Sequence, residues 1–175
     1  MNKLIIIRGN SGSGKSSVAK RLQREFGRNT LLIPQDVVRR DMLWAEDGYD
    51  TAALPLLADL LQYGYQNSKV TILEGILYSK YYSPLFERAV ALFGNHIFAY
   101  YYDLPFEETL KRHETKEKRF EFGEEEMRRW WNEKDFIGFI REKTLDKTVS
   151  LEDAVRLIRS DVMGGEFPGG KEETE

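Results

Sequence analysis

Apolar positions along the chain follow two alternating periods. Continuous apolar runs at residues 4–7, 30–33, 70–73 and 97–102 predict short strands buried on both faces, as in a parallel sheet. Between them the apolar positions recur at helical spacing, over about 15–26, 36–44, 50–66 and 84–93. In the first of these helices Val18, Ala19, Leu22 and Phe26 share one face. Pro105 suits the first turn of a further helix running to about Lys116. A fifth strand is fainter, and residues 147–149 are its best candidate. Ser150 then reads as the N-cap of a last helix with Glu152 and Asp153 in its first turn, docked through Val155, Leu157 and Ile158. Strands alternating with helices predict an α/β domain with right-handed crossovers and a sheet covered on both faces. Residues 1–163 read as that single domain. Residues 164–175, rich in glycine and glutamate, contain little that can pack and read as a mobile tail without chemistry.

Composition narrows the classes. The 175 residues are 41% apolar and 31% charged, with a net charge of −3, which is not the profile of a duplex-binding protein. The chain has no cysteine, which excludes disulfides, thiolate catalysis and cysteine-ligated zinc. No apolar run approaches the roughly 20 residues of a membrane span, and residues 4–7 are too short for a signal peptide core. A soluble, cytoplasmic protein is the expectation.

One stretch carries specific chemistry. Gly9-Asn10-Ser11-Gly12-Ser13-Gly14-Lys15-Ser16 fits the pattern G-x-x-x-x-G-K-[ST] without a mismatch, and it lies between a predicted strand and a predicted helix. Three glycines let the backbone curl so that several N–H groups face one anion, and the helix N-terminus adds partial positive charge. Lys15 supplies a cation for the outer phosphates, and the Ser16 hydroxyl is placed for Mg²⁺. The whole loop from Gly9 to Ser17 is expected to cradle a nucleotide.

A phosphate loop names a ligand class but no reaction. Asp36 follows the second predicted strand, at a carboxyl end that opens on the same crevice. An aspartate there could take the proton of an attacking hydroxyl; the competing reading is an N-cap, and the two can coexist. Arg39 lies one helical turn on, so Asp36 and Arg39 could hold a substrate together, the acid on a hydroxyl and the arginine on an anionic or polar group. Glu74 ends the third strand, where phosphate-loop proteins place the carboxylate that orients Mg²⁺; glutamate in place of the usual aspartate favours contact through water. Gly75 reads as room for close approach of substrate.

Residues 111–129 alternate Lys111, Arg112, Lys116, Lys118, Arg119, Arg128 and Arg129 with glutamates. From charge alone this is a solvated helical face, but its place after the fourth strand puts it near the bound phosphate. With GNSGSGKSS, PQDVVRRDM, ILEG and KRHETKEKR quoted together, the chain resembles the small-molecule and nucleic-acid kinases of the P-loop superfamily over roughly residues 1–130. Chloramphenicol phosphotransferase, the zeta-toxin kinases, gluconate kinase and the 5′-kinase domain of polynucleotide kinase are the likenesses. The resemblance implies a doubly wound, parallel five-stranded sheet of order 2-3-1-4-5 and ATP with Mg²⁺ as cofactors. It implies that Asp36 is the general base, that Arg39 binds substrate, and that residues 112–128 form a mobile lid. Within the lid Arg112 would stack on adenine, and Lys116 and Arg119 would clamp the phosphates. The lid lacks the paired arginines of nucleoside monophosphate kinases, and the third strand lacks their Asp-Gly-Phe-Pro-Arg, which argues against a monophosphate acceptor.

The expected activity is transfer of the γ-phosphoryl group to a hydroxyl of a small acceptor of sugar, nucleoside or antibiotic type. Lys15 and Arg119 would offset charge and Asp36 would remove the proton. A 5′-hydroxyl polynucleotide kinase and a nucleotide-gated regulatory NTPase are the alternatives. Nucleic acid and membrane are not expected partners, and monomer and homodimer stay open. Trp44, Tyr49, Tyr63 and Tyr65 could line the acceptor pocket, and Tyr78, Lys80, Tyr81 and Tyr82 follow the third strand beside the crevice, although aromatic core packing is the commoner role. Trp130 and Trp131 cannot share a helix face, so one can pack inward while the other faces the site. His96 and His113 have no metal-ligand partner in the pattern and read as structural or solvated.

Overall fold

The computed structural model describes residues 1–115 and 117–164, without the side chain of Lys118. Of the tail expected over residues 164–175, Gly164 instead closes the last helix, and residues 165–175, like the phosphate contact expected of Lys116, lie outside the described residues. In chain order the elements are β1 (Lys3–Gly9), α1 (Lys15–Phe26), β2 (Leu31–Pro34), a π-helical segment (Val37–Met42), α2 (Ala53–Asn67), β3 (Val70–Gly75) and α3 (Ser79–Phe93). They continue with a 3-10 turn (Gly94–His96), β4 (Ile97–Tyr102), α4 (Phe106–Glu114), a second 3-10 turn (Glu117–Phe120), α5 (Glu124–Arg129), β5 (Glu142–Leu145) and α6 (Leu151–Gly164). The five strands pair in parallel in the order β2-β3-β1-β4-β5, as expected.

Alternation along β1 explains the two layers. Leu4 and Ile6 face one side, where they join Leu57 and Leu61 of α2 and Tyr82, Phe86 and Ala89 of α3. Ile5 and Ile7 face the other, where they join Val18 and Leu22 of α1 and Ile158 and Val162 of α6. With the period-two rule of a strand, one apolar run thus supplies both cores. Level ends follow from the register: Ile7 and Pro34 both lie opposite Glu74, and Gly9 lies opposite Tyr102.

Four expectations need correcting. The fifth strand is Glu142–Leu145, and residues 147–149 are loop. Its apolar signal is missing because Glu142 turns inward to Arg8 and Lys143 pairs with Asp161, leaving Leu145 as the only fully buried residue of the four. Helix α3 begins at Ser79 and not at 84, so Pro84 lies inside it. The N–H that Pro84 lacks is a helix-interior defect; burial of Tyr82, Leu85 and Phe86 on both sides of it holds the helix. The helix expected over 36–44 is a short π-helical segment. Leu157 is more than a third exposed, and α6 docks instead through Ala154, Val155, Ile158 and Val162. Its N-cap is as expected: the Asp153 amide donates to Ser150 Oγ at 3.1 Å.

Among the described residues no helix is long and apolar enough to cross a membrane.

Candidate active site

The loop between β1 and α1 forms the floor of the site. Gly12 and Gly14 carry φ of +79° and +100°, a region that suits glycine. At Gly12 space also forbids a side chain, because a Cβ would lie 2.5 Å from the Thr109 carbonyl oxygen of α4. Gly14 is the N-cap of α1, so the positive end of that helix opens into the loop. Ser13 is 1% exposed, and its Oγ is buried without a hydrogen-bond partner. A curled backbone and a buried hydroxyl lacking a partner suit an anionic guest. Lys15 is buried and donates from Nζ to the Asn10 carbonyl at 3.0 Å, which holds it across the loop. Ser11, Ser16 and Ser17 are partly exposed.

Ser16 Oγ donates to Glu74 Oε2 at 3.2 Å, and Glu74 is almost fully buried at the end of β3. These are hard oxygen donors of the kind Mg²⁺ takes. Among the described residues no three His, Cys, Asp or Glu side chains form a metal cluster. Two protein oxygens suit a Mg²⁺ that shares its remaining positions with nucleotide phosphates and water.

Asp36 lies two residues beyond β2, whose end is level with Glu74. It stands at the N-cap position of the π-helical segment but makes no side-chain capping bond. Its carboxylate is held by arginines instead. Arg39 Nη2 reaches Oδ1 at 3.1 Å, and Arg40 Nη1 is 3.6 Å from Oδ2. Arg39 also donates from Nη1 to the Ala45 carbonyl, while its Nε is buried without a partner. The expected pairing of Asp36 with Arg39 is therefore present. Gln35, beside Asp36, donates to Tyr82 Oη at 2.7 Å, and that hydroxyl donates to Asp47 at 2.6 Å. Burial, with Asp47 beside it, pushes the Tyr82 hydroxyl far up from its usual value, so it stays a neutral donor. Gly75 makes room for Gln35 and not for a substrate, since a Cβ there would meet the Gln35 Cβ at 2.8 Å.

The segment expected as the lid divides. Arg112, in α4, lies over the loop: Nη1 donates to the Ser13 carbonyl at 2.9 Å and Nε pairs with Glu108. Arg119 keeps to its own segment, donating to the Glu114 carbonyl and lying 4.7 Å from the Phe120 ring centroid. His113 is structural, with Nε2 against the Phe122 carbonyl at 2.8 Å and its ring stacked on Phe122. Trp131 packs edge-on against Phe106, and Trp130 against Phe122.

The aromatic candidates separate by position. Tyr78 and Tyr81 are partly exposed beside the carboxyl end of β3, and Tyr49 and Trp44 are exposed on the loop above them. Tyr82 is fully buried. Tyr65 is at the far end of the sheet, where its carbonyl accepts a bond from Asn2 and its ring meets Phe93, and Tyr63 stands exposed one half-turn before it. The far edge takes both out of the acceptor wall.

Sequence reasoning missed Arg8. This arginine in β1 is 0% exposed. It donates to Leu77 O at 2.9 Å, to Asp135 at 2.6 Å and to Glu142 at 2.9 Å, between the rings of Phe86 and Tyr101. Asp135 in turn accepts from the Ser79 amide at 2.9 Å. Asn10 belongs to the loop expected to cradle phosphate through its backbone, and its side chain faces the chain beyond α5. Nδ2 donates to Asn132 O at 2.7 Å and Oδ1 accepts from Asn132 N at 2.9 Å. A charged residue inside a strand buried on both faces was the available signal for Arg8.

Residues 4–132 match the family model described as AAA domain. The chain belongs to the AAA-domain family. Its fold is that of the P-loop kinases. A gluconokinase from Sinorhizobium meliloti superposes with a TM-score of 0.68 at 17% identity, covering 93% of this chain and 92% of that one. The tunicamycin resistance protein of Deinococcus radiodurans gives 0.59 at 17% identity, with 98% and 100% covered. The APS kinase of Mycobacterium tuberculosis, solved with AMPPNP and APS, gives 0.59 at 21% identity, with 93% and 98% covered. No curated protein matches the sequence. At such identities the shared property is the fold, and this AAA-domain chain must be read for chemistry from its own residues.

Proposed function

We propose that this protein is an ATP-dependent kinase that transfers the γ-phosphoryl group to a hydroxyl of a small-molecule acceptor. The observation that carries the reading is Asp36. Its carboxylate is partly exposed, makes no capping bond, and is fixed by Arg39 and Arg40 at the same sheet edge as Lys15, Ser16 and Glu74. A switch protein has no need of an oriented base there. The activities named for the gluconokinase and the APS kinase support the same class.

In this reading the loop amides and Lys15 hold the phosphates, with Lys15 leaving the Asn10 carbonyl to do so. Ser16 and Glu74 would hold Mg²⁺, which when bound neutralises charge on the transferring group. Arg112 covers the nucleotide from α4. Asp36, oriented by Arg39, receives the proton of the acceptor hydroxyl as the new P–O bond forms and ADP leaves. Arg119 reaches the phosphates after rearrangement of the lid.

Asp36→Asn tests this. It preserves shape and removes the base. Transfer to an alcohol should fall by about 10²–10⁴-fold while ATP affinity changes little. An Asp36→Asn protein with undiminished transfer would remove the base from the mechanism.

A further inference from the structure

The acceptor side of the crevice carries an aromatic wall. Tyr78, Tyr81 and Tyr49 form a ladder of edge-to-face contacts, with centroids 4.9 Å and 4.7 Å apart. It starts at the carboxyl end of β3 and climbs to the loop beyond the π-helical segment. Trp44 stands on that loop with 94% of its surface exposed and a φ of +49°. A residue that carries a β-carbon is strained in this left-handed region. Its setting is tied down and not frayed. Arg39 donates to the Ala45 carbonyl at 3.0 Å, and the Ala45 amide donates to the Arg39 carbonyl at 2.8 Å. The arginine that orients Asp36 therefore also fixes the residue next to Trp44. Exposed aromatic surface of this kind, on a loop tied to the arginine that pairs with Asp36, suits the ring of a ligand.

Charge selects among ring-bearing ligands. Residues 41–50 hold Asp41, Glu46, Asp47 and Asp50 and no lysine or arginine. All four are exposed, and they oppose a phosphodiester backbone or a polyanion.

Resting on the kinase reading above, we infer that the acceptor is a small alcohol carrying a planar ring, neutral or cationic, whose ring lies against Trp44 and Tyr49 while its hydroxyl meets Asp36. The ring supplies binding energy remote from the reacting oxygen.

Two arms test this. The first measures rates with Mg-ATP for thymidine and 1-phenylpropane-1,3-diol against ribose and glycerol, in the wild type and in Trp44→Ala and Tyr49→Ala. The ring-bearing pair should be preferred, and each variant should raise their KM by about tenfold, the weight of one stacking partner, with kcat within about twofold. The second uses Trp130→Phe/Trp131→Phe, which leaves Trp44 as the single tryptophan of three. Thymidine or the phenyl diol should change its emission, and ribose and glycerol should not. Equal use of ring-free alcohols with Trp44→Ala neutral overturns the inference and leaves the kinase reading intact. Ring-dependent change of Trp44 emission without transfer to any alcohol sustains the wall and overturns the kinase reading. Preference for a 5′-hydroxyl oligothymidylate over thymidine overturns the small-molecule assignment.

Discussion

The loop at Gly9–Ser16 and the stretch from Asn132 to Glu142 face each other across the end of β1, and they are encoded differently. The loop is local: a glycine pattern, a lysine and a serine within eight residues form it. The opposing stretch has no pattern of its own. It is held by partners more than 120 residues away, Asn10 on Asn132 and Arg8 on Asp135. The loop offers a ligand the buried Ser13 hydroxyl, which lacks a partner, and the N-terminus of α1. In the stretch Asn132, Asp135 and Glu142 have partners inside the protein, as buried polar groups must. Changes in the first should therefore appear mainly in ligand affinity, and changes in the second mainly in stability.

Arg8→Leu gives the largest effect. It leaves Asp135 and Glu142 without their buried cation, and removing one partner of such a pair costs about 3–5 kcal/mol. Urea unfolding should show that loss. A stability within about 0.5 kcal/mol of the wild type would mean that water replaces the guanidinium and that the stretch is not held as described. Lys15→Ala is the counterpart. It removes one charge-assisted contact to phosphate, about 1.5–3 kcal/mol or roughly 10- to 150-fold in ATP affinity by calorimetry. Its unfolding midpoint without nucleotide should move far less than that of Arg8→Leu. A Lys15→Ala protein that unfolds early and binds ATP normally would reverse the contrast.

The same division governs what the sequence made legible. The first four strands, the loop and the spacing of Asp36 and Arg39 rest on local periods and on neighbours in the chain, so they could be read, whereas the strand order followed from the family resemblance. The fifth strand could not, because Glu142 and Lys143 place charge where a strand pattern calls for apolar residues, and the partners that neutralise them, Arg8 and Asp161, are distant in sequence. Pro84 hid the start of α3 because the usual place of proline is the first turn. The aromatic candidates divided on a tertiary fact. Tyr49 and Tyr65 carry the same side chain, but α2 runs from the carboxyl edge of the sheet to its amino edge and takes Tyr65 with it.

Asn10 belongs to both regions and tests whether they communicate. Its carbonyl accepts from Lys15, and its side chain clasps Asn132. Asn10→Ala keeps the first contact and removes the second. Stability should fall by about 1–2 kcal/mol, the cost of taking the acceptor from the Asn132 amide and leaving its carbonyl only the Tyr101 hydroxyl at 3.4 Å. ATP affinity should fall less than in Lys15→Ala. Trp130 and Trp131 directly precede Asn132, so their emission reports the clasp. An ATP-dependent change in that emission in a Trp44→Phe background, lost when Asn10→Ala is added, would show nucleotide binding transmitted to the stretch. The same emission change in both proteins would keep the regions independent.

The smallest effect concerns the proton on Glu142. Burial raises its carboxyl above the ordinary glutamate value of 4.5, and Arg8, which acts in the opposite sense, does not cancel that. The folded chain therefore keeps a proton that the unfolded chain has already released. Within that window the folded state binds more protons, so stability falls as pH rises from about 4.5 toward the raised value. Glu142→Gln removes the titration, and it weakens the hold on Arg8 by an amount that does not depend on pH. Measured by urea unfolding at several pH values, the variant should start below the wild type in acid and close part of the gap as pH rises. A gap that widens instead would mean that the pairing with Arg8 outweighs burial and that Glu142 releases its proton more readily when folded. Arg8 would then hold the stretch by charge, and the contrast with the loop would narrow, since both regions would use a cation to fix an anion.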